Sequence, residues 1–448
     1  MNRVAVFGLA LTGRAVSTAL SSRGIEIVVS DDDESQDNQI FAKSLDAHWV
    51  SMGDSTSIDE FLDGVDTFMP APGVPLHHPL IKRSLELGIP IRTEIDVAYE
   101  WEQSRVGGPR PILGVTGTDG KTTTTMLTAT ILRAQQLRVA EVGNTDVPFM
   151  AALKEDVDAF VVECSSFRLQ FTEKFRCDAS AWLNLAPDHL DWHGTLDGYA
   201  AAKKRLWVHA TNKDVAVASI DHPVILEAAQ QSNARVVTFG LASGDYHMDS
   251  GVLVSPHGVV ATQQELWRSM PHDVTNSLAA AALAVESGLC PINMVSGPLR
   301  SFVSAHHRIE LVGEFKGSSW FDDSKATSPH AALTAIRAFD SVVLIAGGRN
   351  KNLDLNQLAS EPSRMRGVVA IGDDAALVSQ AFTGICPVKT ATSMKEAVAI
   401  AASMASPGTS VLLSPGCTSY DWYANYNERG DDFQLHVRTL FADTTKGL

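Results

Sequence analysis

The chain has 448 residues, 45% hydrophobic and 20% charged, with 32 Gly and 19 Pro spread along it. At roughly 100 to 200 residues per domain this is enough for about three folded units, and it excludes a small disulfide-stapled module, a disordered chain and a collagen-like repeat. Lys and Arg total 36 against 52 Asp and Glu, and the resulting charge of −16 disfavours broad binding to nucleic acid while leaving room for a local basic pocket.

Short apolar runs alternate with helix-length segments almost throughout, the pattern of parallel sheets built from βαβ units. The spacing predicts strands at Val4–Phe7, Ile25–Ser30, Ile112–Thr116, Ala159–Val162, Ala179–Leu185, Val215–Ser219, Val342–Ala346, Val368–Ile371 and Val411–Leu413. The N-terminus enters its first strand at once, without the features of a signal peptide, and no segment reaches the ~18 apolar residues of a membrane span. Five widely spaced cysteines, Cys164, Cys177, Cys290, Cys386 and Cys417, form no CxxC pair and read as reduced thiols. A soluble cytoplasmic protein is expected, with no nucleic-acid partner and no membrane span.

After the first strand, Gly8-Leu9-Ala10-Leu11-Thr12-Gly13 opens a helix, and Asp31 ends the second strand. The turn has the form of a dinucleotide fingerprint with alanine at its middle glycine. The Ala10 methyl group stands where a pyrophosphate needs close backbone approach, which weakens NAD as the ligand but not another nucleotide-linked one. A packing turn without a ligand is the alternative. The run Asp31-Asp32-Asp33-Glu34 reads as a solvated loop that would repel a 2′-phosphate. Met69-Pro70-Ala71-Pro72-Gly73-Val74 is a second rigid strand end, and the Gly- and Pro-containing stretch 103–111 reads as a linker.

The strand Ile112–Thr116 then runs into Gly117-Thr118-Asp119-Gly120-Lys121-Thr122-Thr123 and a helix. Glycines let backbone N–H groups face a polyanion, the helix N-terminus adds positive potential, and the lysine neutralises phosphates. The loop is a short variant of the general phosphate-binding pattern, and Thr122 offers a hydroxyl to an associated magnesium. Glu163 closes another apolar strand, where a carboxylate beside such a loop suits a hard cation, although alone it equally fits a helix cap. A polar cluster follows at Asn184–His193, in which His193 reads as turn chemistry, then a helix around Tyr199–Arg205 with lysines on different faces. Asp245–Met270 reads as antiparallel hairpins at a sheet edge. Helical segments at Ser277–Glu286 and Met294–Ser301 precede a new strand-rich register from about residue 303.

Gly117-Thr-Asp-Gly-Lys-Thr-Thr, Glu163-Cys-Ser-Ser-Phe167, Asp188-His189-Leu-Asp191, Tyr199-Ala-Ala-Ala-Lys203, His307-Arg308 and Asp323-Ser-Lys-Ala-Thr327 occur in this order, and together they resemble the Mur ligases of peptidoglycan synthesis. The resemblance covers essentially the whole chain. The Asp323–Thr327 run and Ser414-Pro-Gly-Cys-Thr-Ser419-Tyr-Asp421, with Tyr426 and Arg429-Gly430, narrow it to members that add D-glutamate to UDP-N-acetylmuramoyl-L-alanine. It implies an α/β chain of three domains: a Rossmann-like UDP-substrate domain at 1–107, a central ATPase domain of P-loop type with a mostly parallel sheet at 108–302, and a Rossmann-like amino-acid domain at 303–448.

The same resemblance implies the site. Gly8, Leu11, Thr12, Asp31 and Gly73 would contact the UDP-sugar, with Asn144 and Ser165 at further substrate and metal contacts. Gly117, Thr118, Asp119, Gly120, Lys121, Thr122 and Thr123 would cradle ATP, and Asn276, Arg308 and Asp323 would meet its adenosine and phosphates. Thr122 and Glu163 would hold one magnesium ion, and His189 with a carbamylated Lys203 a second; Lys121, His189 and Lys203 form the catalytic set. Lys325, Thr327, Lys351, Ser419 and Tyr426 would bind the carboxylates of D-glutamate. A monomer is expected. Departures from the family pattern are Asp119, where asparagine is common, Ser328 after Thr327, and Asp33, where a basic residue can face the uracil. Competing readings are a folylpolyglutamate synthetase-like amide ligase, a nucleotide-sensing protein without turnover, and an NAD-dependent dehydrogenase that would leave the Lys121 loop unexplained.

Overall fold

The computed structural model describes residues 1–53, 55–351 and 353–445. The chain forms two compact units, one of Met1–Leu185, Trp192–Ser269 and Asp273–Phe302, the other of Ala186–Asp191, Met270–His272 and Val303–Leu448. Mixed α/β structure with mostly parallel sheets runs through both.

The first unit contains two large sheets. One has β1 (Arg3–Phe7), β2 (Glu26–Ser30), β3 (His48–Trp49) and β4 (Thr67–Pro70), all parallel in the order β3-β2-β1-β4. Both faces of β1 are buried, Val4 and Val6 in one apolar cluster and Ala5 and Phe7 in another, which accounts for its unbroken apolar run. Because β1 lies between β2 and β4, the sheet reverses its winding at β1, whose carboxyl end is at Gly8. Helix Leu11–Ser21 begins there with Ala10 at its N-cap, no side-chain cap and no acidic residue in its first turn. A Cβ on Gly13 would overlap the Gly8 carbonyl oxygen, so glycine is required where the helix meets its own turn. Ile25, expected in the second strand, instead donates its N–H to the Leu20 carbonyl, 3.2 Å away, and the strand starts at Glu26.

The second sheet holds β5 (Ile112–Thr116), β6 (Val139–Gly143), β7 (Ala159–Glu163), β8 (Ala179–Trp182), β9 (Val215–Ser219) and β10 (Arg235–Phe239), again all parallel, in the order β10-β9-β8-β5-β7-β6. Strand β5 is flanked by β7 and β8, so this sheet also reverses its winding beside a glycine loop. The expected strand Ala179–Leu185 stops at Trp182, because Asn184 turns aside to bind that loop. Helix Pro271–Glu286 is longer than the expected Ser277–Glu286. Its start fits proline at the first helical position, and its alanine-rich stretch Leu278–Ala284 is buried on all sides. The segment expected as hairpins forms an antiparallel sheet of β11 (His247–Asp249), β12 (Val252–Ser255) and β13 (Gly258–Thr262) next to the edge strand β10, through a bridge between Phe239 and Tyr246.

The sheet of the second unit runs β14-β15-β19-β16-β17-β18, with β14 (Glu310–Phe315), β15 (Ser318–Asp322), β16 (Val342–Gly347), β17 (Met365–Ile371), β18 (Val388–Thr390) and β19 (Ser410–Leu413). Only β14 pairs antiparallel. Alternation with period two sends Leu344, Ala346, Val368 and Leu412 to one apolar cluster and Val343, Ile345, Val369 and Val411 to another. All five cysteines are free, Cys386 alone being partly exposed. No helix among the described residues is long and apolar enough to cross a membrane.

Gly13→Ala should destabilise the first unit by about 3 kcal/mol, since backbone must move to admit the methyl group. Urea unfolding checks this; an unchanged midpoint would show that the turn relaxes freely.

Candidate active site

Strand β5 delivers Gly117–Gly120 to the N-terminus of helix Lys121–Arg133, with Gly120 at the N-cap in a left-handed conformation (φ 81°). Asn184, at the end of the neighbouring strand, holds this loop: its Oδ1 accepts the N–H groups of Thr118 and Asp119, both at 2.9 Å, and its Nδ2 donates to the Asp119 carbonyl at 3.1 Å. The Lys121 ammonium folds back on the loop and donates to the carbonyls of Gly117 (3.0 Å) and Thr118 (2.7 Å). Lys203, fully buried at the end of helix Leu196–Lys204, donates to the same Gly117 carbonyl at 2.6 Å and lies over the Tyr199 ring. Lys204 is exposed and bonded to Gln231, so the two neighbouring lysines do face different surroundings. Asn276 accepts from Thr124 on the helix behind the loop at 3.3 Å. Asn184 had shown no signal in the sequence beyond being polar after a strand.

Glu163 ends β7, paired in register with Val115 of β5, so its carboxylate stands at the strand end beside the loop. One oxygen accepts from Asn144 Nδ2 at 2.9 Å; the other, Oε2, is buried without a hydrogen-bond partner among the described residues. A desolvated, unsatisfied carboxylate oxygen is a costly arrangement by itself and fits a hard cation. Ser165 caps the short helix Ser166–Leu169, accepting from Arg168 N–H. His193, read as a turn residue, is buried against Phe167 with Nε2 2.9 Å from Ser166 Oγ, and serves packing.

At the first glycine turn, Asp31 accepts the backbone N–H groups of Leu9 and Asp33, so its carboxylate clamps the turn. Leu11 is exposed, Thr12 is half-buried, and Gly73 lies in the loop after β4. All seven residues expected at the UDP-substrate, with the phosphate loop, Glu163, Lys203 and Asn276, belong to the first unit.

His189, Arg308, Asp323, Lys325, Thr327, Lys351, Ser419 and Tyr426 belong to the second. His189 takes a positive φ of 53° and is bonded to the Asp188 carboxylate. Lys351 donates to the same carboxylate, 3.1 Å from Asp188 Oδ1, so its charge is balanced within the unit. Lys325 lies over the Tyr426 ring, and Ser419 is buried. Arg429, quoted above only as part of a motif, is 1% exposed and donates to Ser324 Oγ, the Ser324 carbonyl and the Cys417 carbonyl. It thereby ties the 323–327 loop, the 417–419 loop and helix Tyr426–Thr445 together, and burial lowers its pKa to about 10.

Arg308 sits between two residues of positive φ, His307 at 60° and Ile309 at 46°. Such conformations cost about 1–3 kcal/mol each, most for a β-branched residue, and must be held by their surroundings. The restraints are His307 Nδ1 to Asp322 at 2.7 Å and Ile309 N–H to Asp323 at 3.2 Å. Burial alone would lower the His307 pKa, but the Asp322 bond and charge outweigh it and raise it. Asp323 is raised from 3.8 to about 7, mainly by burial, with the Ser414 hydroxyl and Arg308 opposing.

Family models match this chain twice, the Mur ligase middle domain over residues 115–284 and the Mur ligase, glutamate ligase domain over residues 307–417. Proteins similar along the full length include one from Streptomyces avermitilis, 36% identical over 98% of both chains, and one from Pelotomaculum thermopropionicum, 34% identical over 98% of both, each named UDP-N-acetylmuramoylalanine--D-glutamate ligase. The fold is also similar to that of a pseudomurein peptide ligase type C from Methanothermus fervidus, at 17% identity, TM-score 0.60, and 93% and 97% coverage of the two chains. A UDP-N-acetylmuramate-alanine ligase from Thermotoga maritima matches at 17% identity and TM-score 0.59, over 98% and 99%. The chain belongs to the Mur ligase family.

Because the unfolded Asp323 side chain loses its proton near pH 3.8 and the folded one near 7, folding takes up a proton between these values. Its contribution is therefore fully present below the unfolded value and is lost as pH rises towards 7. Asp323→Asn should remove that part of the pH slope in urea unfolding and make the protein more stable at pH 8 than the parent. An unaltered slope would assign the titration to another group.

Proposed function

We propose that this protein is an ATP-dependent ligase that joins D-glutamate to UDP-N-acetylmuramoyl-L-alanine, a step in building the peptidoglycan precursor. The observation that carries the reading is full-length similarity, at 33–36% identity, to proteins named for that reaction; a glycine loop with Lys121 folded onto it and Glu163 at the neighbouring strand end supports it. Three functional domains, at 1–107, 108–302 and 303–448, are part of the proposal, as are a monomeric state and a cytoplasmic location, which free cysteines fit.

Joining a carboxylate to an amine in water needs an activated acyl group. In this reading the terminal carboxylate oxygen of the UDP-linked substrate attacks the γ-phosphorus of ATP, ADP leaves, and the acyl phosphate is opened at its carbonyl carbon by the amine of glutamate, releasing phosphate. Lys121 stabilises charge on the transferring phosphoryl group, the loop amides orient the triphosphate, and Asn184 keeps those amides in position. Glu163 with Thr122, and His189 with a carbamylated Lys203, are the proposed holders of two magnesium ions, which screen repulsion between carboxylate and triphosphate when bound. The dicarboxylate acceptor is assigned to Lys325, Thr327, Lys351, Ser419 and Tyr426. A site built for two carboxylates leaves buried donors without partners when a neutral amino acid binds, which is the basis of selectivity.

A phosphate-release assay with UDP-N-acetylmuramoyl-L-alanine and a panel of amino acids tests the reaction. D-Glutamate should be the efficient acceptor, alanine, lysine and aspartate poor ones, and Lys121→Ala should reduce turnover at least about a thousandfold. Efficient use of a diamino acid would move the protein to another branch of the family, and near-normal turnover by the Lys121 variant would remove the loop from catalysis. The carbamate has its own test. Lys203→Ala should be inactive and recover with added short carboxylic acids, whereas an active variant, or one that no carboxylate restores, speaks against it.

A further inference from the structure

Arg168 lies one turn beyond Glu163, in the helix that follows β7, and none of the roles above uses it. Its side chain is 6% exposed, and it reaches back to the first glycine turn of the same unit. Nη2 donates to Thr12 Oγ1 at 2.9 Å, Nη1 donates to Glu94 Oε2 at 2.9 Å, and Nε is buried without a partner among the described residues. Glu94 is itself buried, with its other oxygen accepting the Met150 N–H at 2.5 Å. Burial raises the Glu94 pKa, and the Arg168 charge opposes that rise. The buried Glu94 carboxyl thus fixes the guanidinium beside the amino end of helix Leu11–Ser21.

The direction of the Thr12 bond matters. Its oxygen receives a charge-assisted hydrogen bond, so its own proton is left to donate, and no acceptor for that proton occurs among the described residues. Thr12 is the second residue of a helix that supplies no side-chain cap to its first-turn amides. Hydroxyl and helix end together make a donor set for an anion.

We propose that Arg168 is a positioning residue for the nucleotide-linked substrate: anchored by Glu94, it turns the Thr12 hydroxyl outward to donate to the diphosphate. It also ties that turn to the strand end carrying Glu163. The assignment rests on the reading of the Gly8–Gly13 turn as the UDP site. Selectivity follows, because a substrate lacking the diphosphate leaves the polarised hydroxyl without an acceptor.

Since the contact is made equally to bound substrate and to the transition state, its loss should appear in KM and not in kcat. Thr12→Val leaves the buried pair intact and should raise KM for the UDP-linked substrate about tenfold, with kcat and the KM for ATP within about twofold. Arg168→Gln should do the same, Arg168→Lys should recover part of the loss, and the Thr12→Val/Arg168→Gln double variant should be no worse than the poorer single one. Titration calorimetry with UDP alone separates the premises. If the parent protein fails to bind UDP, the turn is not a nucleotide site. If it binds UDP and Thr12→Val or Arg168→Gln binds it equally, the turn keeps its role and Arg168 loses the proposed one. Lowered thermal stability with unchanged KM, or additive losses in the double variant, would likewise reduce Arg168 to a structural ion pair.

Discussion

Two lysine ammonium groups converge on one carbonyl oxygen, that of Gly117. Lys203 is buried and Lys121 partly so, and like charges brought this close repel. The surrounding structure serves this crowding. Asn184 fixes the loop backbone that offers the carbonyl, β5 and β7 in register bring the Glu163 carboxylate alongside, and helix Leu196–Lys204 holds Lys203 against Tyr199. An anion placed beside the loop would relieve this repulsion.

Features that arise from neighbours in the chain were legible beforehand. The strand, glycine turn, lysine and helix of the phosphate loop succeed one another within a few residues, and so do the apolar strand and carboxylate at Glu163. Short apolar runs announced the central strands of all three large sheets, because those strands bury both faces, whereas β3, β6, β10 and β18 carried no such run that was read as a strand. Strand ends were less legible. Trp182 ends β8 only because Asn184 has a partner 65 residues away, and Ile25 stays out of β2 because it closes the preceding helix. The pairing of Lys351 with Asp188, 163 residues apart, had no local trace at all. His193 illustrates the opposite error, in which a residue type common in turns proved to be part of an aromatic core.

The second unit holds several polar groups at visible energetic cost. Asp323 is a carboxyl held where burial opposes its charge, Arg308 is presented between two strained residues, and Arg429 is a guanidinium without a carboxylate partner in hydrogen-bonding contact among the described residues. Alternating apolar strands on either side, from Val342 to Ile371 and Ser410 to Leu413, supply the rigid support that holds such groups in place. The first unit shows a similar division, with an alanine-rich helix buried on all sides and a glycine loop whose amides and carbonyls are held by side chains.

The position of Arg429 has a consequence for local opening. Its three acceptors come from the 323–327 loop and from Cys417, while its backbone belongs to the C-terminal helix. Detachment of that one helix would release both loops at once, so their amides are coupled into a single cooperative unit despite lying some ninety residues apart in sequence. The end of the chain thus acts as a pin, and a change far along helix Tyr426–Thr445 that loosens its docking would be felt as slackness at Lys325 and Ser419 together, before the sheet beneath them yields.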